Sequence, residues 1–142
     1  MTSITLEAAT QMIAATTAYG AEHDLKPLSV IVLDAGGHPI AFARANDTSP
    51  ARYAIAHGKA YGAVMMGMSG TTLNALAKDR PEFVASLNTA LGGTVVPVQG
   101  GVLVKDADGK VIGAVGVTGD TSDNDADAGQ AGVIAAGFVA EI

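Results

Sequence analysis

The sequence predicts one α+β domain in which helices cover an antiparallel sheet. A chain of 142 residues has the length of a single domain, so residues 1–142 are taken as one unit. Hydrophobic residues make up 49% and charged residues 15%, which supports a packed core and excludes a disordered chain. Apolar runs of strand length follow one another across short turns, and short turns join antiparallel strands.

Capping residues, proline and turn residues set the limits of the elements in the first half of the chain. An apolar stripe at helical spacing begins at Leu6, with Ser3 or Thr5 as the N-cap, and Pro27 ends the helix before it. The turn residues Asp34–His38 separate two apolar runs and so predict a hairpin. The expected elements are a helix over residues 6–26 and strands over residues 29–34 and 39–44.

The second half predicts three helical pieces, three strands and a closing helix. Ser49–Pro50 is typical of an N-cap followed by proline at the first helical position. Gly92–Gly93 ends the helical block, Asp106–Gly109 forms a tight turn, and Ser122 or Asp123 caps the last helix. The expected elements are helices over residues 50–68, 73–78, 82–91 and 122–140, and strands over residues 95–98, 102–105 and 110–118.

Composition excludes several classes of function. The net charge of −6 repels phosphate backbones, so no nucleic-acid partner is expected. No apolar run approaches the ~20 residues of a membrane span, so no membrane partner is expected either. The absence of cysteine excludes disulfides, thiolate metal sites and cysteine nucleophiles. No basic stretch precedes an apolar one at the N-terminus, and a cytoplasmic domain is therefore expected.

Two motifs near the C-terminus resemble ligand sites without meeting their requirements. Gly113, Gly116 and Gly119 do not have the G-x-G-x-x-G spacing of a nucleotide-binding turn, and close packing of a glycine-rich strand explains them. Asp123–Asp127 resembles the start of a calcium loop, but the position of the bidentate glutamate is Ile134. Helix capping explains these acids, and no metal site is expected.

One face of the second predicted helix carries aromatic residues around a histidine. Tyr53, His57, Tyr61 and Met65 follow one another at intervals of four and therefore share a face. This face suits a flat hydrophobic ligand such as a tetrapyrrole, with His57 as axial ligand. A subunit interface, or a core histidine with a satisfied hydrogen bond, explains the same pattern.

A stripe of small residues runs beside this aromatic face. Ala54, Gly58 and Gly62 let another element approach closely, and a glycine within a helix costs ~1 kcal/mol relative to alanine. We expect this stripe to meet a second subunit or another helix of the same chain. The high apolar content also favours self-association, with a symmetric dimer as the smallest assembly.

Two cations are candidates for holding a small anion. Arg44 follows the second strand, and Lys59 lies in an apolar helix, where a buried cation requires a partner. An anionic ligand pocket explains both residues. Solvent exposure, or ion pairs with Asp47 or Glu82, explains them equally well.

Several segments resemble the GlcG/HbpS-like family, which is described as haem-binding or haem-degrading domains. They are Val30–Arg44, Ala56–Ala60, Pro97–Val104 and Gly109–Gly119, with Asp125 after them. The resemblance covers nearly the whole chain. It implies a profilin-like α/β/α sandwich around a five-stranded antiparallel sheet, with assembly into oligomers as large as octamers.

The resemblance also implies a set of ligand-binding positions. Val102–Leu103 departs from the family, which often has proline after its glycine pair, and Thr118 replaces a common serine while keeping the hydroxyl. The implied ligand-binding residues are Arg44, Lys59, Gly100, Gly101, Thr118 and Asp125. The haem contacts, Tyr53, His57 and Tyr61, come from the spacing on the second helix and not from the resemblance.

Three hypotheses for the function follow. The first is a small-ligand binding protein whose ligand is haem or a related tetrapyrrole. The second is a cofactor-independent catabolic enzyme for a small carboxylate or cyclic metabolite, with Arg44 or Lys59 holding the anion and Asp125 as the acid or base. The third is a structural accessory subunit of an oligomer. The sequence leaves open whether any reaction is catalysed.

Overall fold

A five-stranded antiparallel sheet lies between helices in the computed structural model, which describes residues 3–142. The described residues form five helices and five strands, so the predicted α+β class and strand number are confirmed. The elements are α1 (Leu6–Glu22), β1 (Ser29–Asp34), β2 (Pro39–Ala43), α2 (Arg52–Met66), α3 (Gly70–Asp79), α4 (Pro81–Ala90), β3 (Gly101–Lys105), β4 (Val111–Thr118), α5 (Ser122–Ala135) and β5 (Val139–Glu141).

The sheet has the strand order β2-β1-β4-β3-β5, and every neighbouring pair is antiparallel. Its two faces are covered by different helices. Val30 and Val32 of β1 pack on the side of α1 and α5, whereas Ile31 and Leu33 pack on the side of α2. Because the central strands are buried on both faces, they are continuous apolar runs without polar alternation.

One of the five strands lies in a different part of the chain from the one that the sequence predicts. Residues 95–98 were expected to form a strand, but they lie outside the sheet. The N–H of Val95 donates to the Asn88 side chain and that of Val96 donates to the carbonyl of Gly58, while Pro97 has no N–H to donate. The backbone of this segment is therefore bonded to α4 and α2.

The closing helix is shorter than predicted, and the missing strand follows it. Helix α5 ends at Ala135, and Gly137 then takes a left-handed conformation with φ of 88°. The chain reverses there and forms β5, in which Glu141 pairs with Leu103 of β3. The prediction of a helix to residue 140 is therefore wrong.

Helix starts agree with the sequence only in part. Thr5 caps α1 by accepting a hydrogen bond from the N–H of Ala8, as predicted. Ser49–Pro50 does not cap α2, which begins at Arg52 after a turn and has no side-chain cap. Within residues 3–142, no helix is both long and apolar enough to cross a membrane.

Candidate functional site

The aromatic residues of α2 form a parallel stack on the surface. The Tyr53 and His57 rings lie 5.8 Å apart with planes 17° from parallel, and the His57 and Tyr61 rings lie 5.3 Å apart at 19°. Phe42 of β2 meets Tyr53 edge-on at 5.1 Å, so the sheet supports one end of the stack. The intervals of four residues therefore place the three rings side by side, as the sequence predicts.

A half-open groove of about 460 Å³ lies beside this stack. Its walls are the first turns of α2 and the loop before β3, and most of its surface is apolar. The lining residues are Tyr53, Ala54, Ile55, His57, Gly93, Thr94, Val95 and Val96. Pockets of ~300–1,000 Å³ suit cofactor-sized ligands, so the groove is large enough to hold much of a planar ligand.

The strap, which we define as residues 94–98, forms one wall of the groove because the small residues of α2 allow it to approach. A Cβ on Gly58 would lie 2.3 Å from the carbonyl oxygen of Thr94, and a Cβ on Gly62 would lie 2.7 Å from Val95. The expected close approach is therefore present. The segment that approaches α2 is the strap of the same chain, whereas a second subunit or another helix was expected.

Partial burial favours the neutral form of His57. The ring is half-buried, and desolvation lowers the pKa of His57 from its ordinary value of 6.5. The imidazole is therefore neutral near pH 7, and a neutral ring nitrogen has the lone pair that a metal ligand requires. Tyr53 is 45% exposed, so the stack remains open to solvent.

Lys59 and Asp125 form a buried ion pair on another face of α2. Lys59 Nζ lies 2.9 Å from Asp125 Oδ2 and donates a second hydrogen bond of 2.9 Å to the carbonyl of Val117. The two residues are 3% and 1% exposed. Burial raises the pKa of the Asp125 carboxyl, while the Lys59 ammonium and the N–H of Asp120 act in the opposite direction. Pairing of Lys59 with Asp47 or Glu82 is therefore wrong.

The glycine pair before and at the start of β3 makes room for Lys59. A Cβ on Gly100 would lie 3.0 Å from Lys59 Nζ and 2.7 Å from the carbonyl oxygen of Val117. A Cβ on Gly101 would lie 2.3 Å from the carbonyl oxygen of Lys59. These contacts explain the glycines by packing, and the ligand-binding role that the resemblance implies for them stays a prediction.

Thr118 and Arg44, the remaining implied ligand residues, lie in different surroundings. Thr118 is buried at the end of β4 and accepts a hydrogen bond of 2.7 Å from Arg52 of α2. Arg44 is exposed beyond the end of β2. Arg52 could not be predicted from the sequence, because a cation in the first turn of a helix gives no sign of a contact with a distant strand.

The arrangement separates two centres with different chemistry. The charges of Lys59 and Asp125 neutralise each other away from solvent, so a carboxylate ligand would have to break their ion pair. The groove beside His57 is open, apolar and flanked by parallel rings. Such a groove suits a flat, largely apolar ligand.

Comparisons with known proteins place the chain in a family. The family model described as haem degrading protein HbpS-like matches residues 4–134. A search of curated protein sequences finds no significant match.

Solved structures with the same fold include haem-related proteins. The complex of PduOC with haem is 25% identical, covers 96% of this chain and 97% of that chain, and has a TM-score of 0.84. HbpS is 27% identical over 94% of this chain and 90% of that chain, with a TM-score of 0.81. Protein ORFY of Klebsiella pneumoniae is 25% identical over 96% and 92%, with a TM-score of 0.82. Because the family model matches residues 4–134, the chain belongs to the family described as haem degrading protein HbpS-like.

Proposed function

We propose that this protein binds haem or a related tetrapyrrole in the groove of α2, with His57 as the axial ligand. The observation that carries the proposal is the parallel stack of Tyr53, His57 and Tyr61 beside an apolar groove of about 460 Å³. Membership of the HbpS-like family and the likeness to a haem complex support the same ligand class.

The residues of the groove fit the chemistry of haem. Ile55, Val95 and Val96 offer apolar surface to the macrocycle, and burial of this surface stabilises a complex by ~25 cal/mol per Å². Neutral histidine is a common axial ligand of haem iron, and tyrosine serves in some proteins. His57 is neutral near pH 7 because burial lowers its pKa, which keeps its nitrogen available to iron.

Titration of haem into the protein, followed by absorption spectroscopy, tests the proposal. We expect a saturable shift of the Soret band in the wild type, and its loss or displacement in His57→Ala. The matched control is His23→Ala, because His23 is also stacked on a tyrosine, Tyr19, with ring centroids 3.8 Å apart, but lies at the end of α1. An unchanged Soret band in His57→Ala would remove His57 as axial ligand, and an absent shift in the wild type would refute haem binding.

We also propose that the chain self-associates. Exposed apolar side chains on α1, α5 and β5 support assembly, since Leu6, Ile134 and Val139 are each more than half exposed. A second copy that covers such side chains removes apolar surface from water. Light scattering that finds a monomer at micromolar concentration would refute this proposal.

A further inference from the structure

The groove beside His57 lacks charged side chains, and this feature bears on which tetrapyrroles it accepts. Among the residues that the structure describes, none that lines the groove is charged. Its polar groups are the phenol of Tyr53, the imidazole of His57 and the hydroxyl of Thr94. A carboxylate held inside this groove would lose hydration without gaining a cation.

Cations elsewhere on α2 do not supply this charge. Lys59 is buried against Asp125, with 2.9 Å between Nζ and Oδ2. Arg52 does not line the groove, and its guanidinium donates to Thr118 at the end of β4. The protein as a whole carries a net charge of −6, so its overall field also opposes anions.

The position of the carboxylates on a macrocycle then decides whether it fits. Haem carries its propionates on one edge, so both can extend into solvent through the open side of the groove while the opposite edge is buried. Coproporphyrin has a propionate on every pyrrole ring, and uroporphyrin has an acetate and a propionate on every ring. Whichever edge of these macrocycles enters the groove, it carries a carboxylate with it.

We propose that the groove binds tetrapyrroles whose carboxylates lie on one edge of the macrocycle and excludes those that carry carboxylates on every pyrrole ring. This proposal rests on the proposed haem site. The groove excludes the polycarboxylate macrocycles because it has no cation for a buried carboxylate. Its ligand class is therefore the dicarboxylate porphyrins, of which haem is one.

The experiment compares ferric haem, ferric coproporphyrin and ferric uroporphyrin as ligands of the wild type. Iron is common to all three, so differences in affinity report on the rim of the macrocycle. We expect haem to bind at least about tenfold more tightly than ferric coproporphyrin, and ferric uroporphyrin to bind more weakly still, because each buried carboxylate adds a desolvation cost. Equal affinity for the three ligands would overturn the selectivity, whereas failure of all three to bind would refute the proposed haem site itself.

A second experiment introduces a positive charge into the groove. Ala54 is exposed and lines the groove, so Ala54→Lys adds a cation there in a helix that tolerates lysine. The matched control is Ala14→Lys, which makes the same change at an exposed position of α1, across the sheet from α2. We expect Ala54→Lys to improve the affinity for ferric coproporphyrin relative to haem by about two- to fivefold, the range that one exposed ion pair gives. An equal effect of Ala14→Lys would show that net charge acts at long range and would overturn the role of the groove lining.

Discussion

Replacement of Lys59 by methionine removes the cation from the buried ion pair while keeping an unbranched apolar side chain in its place. The change deletes two hydrogen bonds of 2.9 Å, one to Asp125 and one to the carbonyl of Val117. Asp125 is 1% exposed and retains the N–H of Asp120 as a donor to its other oxygen. The variant therefore contains a buried carboxylate without a cation.

The expected cost follows from the burial of this carboxylate. Removal of one partner from a buried ion pair costs about 3–5 kcal/mol. This is a large part of the ~5–15 kcal/mol that stabilises an ordinary domain. Lys59→Met should therefore lower the free energy of unfolding far more than Lys78→Met, which changes an exposed lysine of α3 and should stay within about 0.5 kcal/mol of the wild type.

Urea denaturation of four proteins measures the interaction as a double-mutant cycle. They are the wild type, Lys59→Met, Asp125→Asn and the double variant. We expect the double variant to be more stable than the sum of the single losses predicts, by about 1–3 kcal/mol, because it contains no unpaired charge. Asparagine keeps an acceptor for the N–H of Asp120, so this contact is retained throughout the cycle.

The pH dependence separates an unpaired charge from lost packing. Burial raises the pKa of Asp125, so the folded protein takes up this proton at a higher pH than the unfolded chain does. The difference in free energy of unfolding between the wild type and Lys59→Met should therefore become smaller as the pH falls, because protonation neutralises the unpaired carboxyl. Additive single losses below about 1 kcal/mol, with no dependence on pH, would refute a buried ion pair.

Two further predictions concern a glycine and the histidine. Gly100→Ala should destabilise the protein by about 1–3 kcal/mol more than Gly109→Ala in thermal unfolding. Both residues have positive φ, but only the Cβ at Gly100 would meet other atoms within 4 Å. Equal losses of stability in the two variants would contradict the packing role of Gly100. The His57 ring should titrate below pH 6.5 by NMR, because burial disfavours its charged form, and its share of the folding free energy should be lost as the pH falls below 6.5. A midpoint above 6.5 would show that the ring is stabilised by an anion.

Local patterns in the sequence predict the parts of the fold that depend on neighbouring residues. The hairpin of β1 and β2 follows from turn residues between apolar runs, and the stack on α2 follows from intervals of four residues. Gly58 and Gly62 correctly indicate a close approach. What approaches them could not be predicted, because the strap reaches α2 only through the tertiary fold.

The remaining differences arise from contacts between distant residues. Lys59 pairs with Asp125, 66 positions away, and the sequence offers nearer carboxylates with equal chemistry. Val95–Val98 has the composition of a strand, but the N–H groups of Val95 and Val96 are bonded to α4 and α2, and that of Val98 donates to Val96 within the segment. Strand β5 has only three residues, which is too short to give a periodic signal, although Gly137 marks the end of the helix before it.

Line broadening of backbone amide NMR signals by ferric haem tests the location of the proposed site most directly. Unpaired electrons on iron broaden the signals of nearby residues, and gallium protoporphyrin serves as a diamagnetic control of the same shape. We predict that signals of Tyr53–Tyr61 and Gly93–Val96 disappear with ferric haem, while those of α1 remain. Broadening confined to the smaller cavity of about 230 Å³ between the end of α1 and Leu25–Leu28, with α2 unaffected, would contradict the site proposed for this protein.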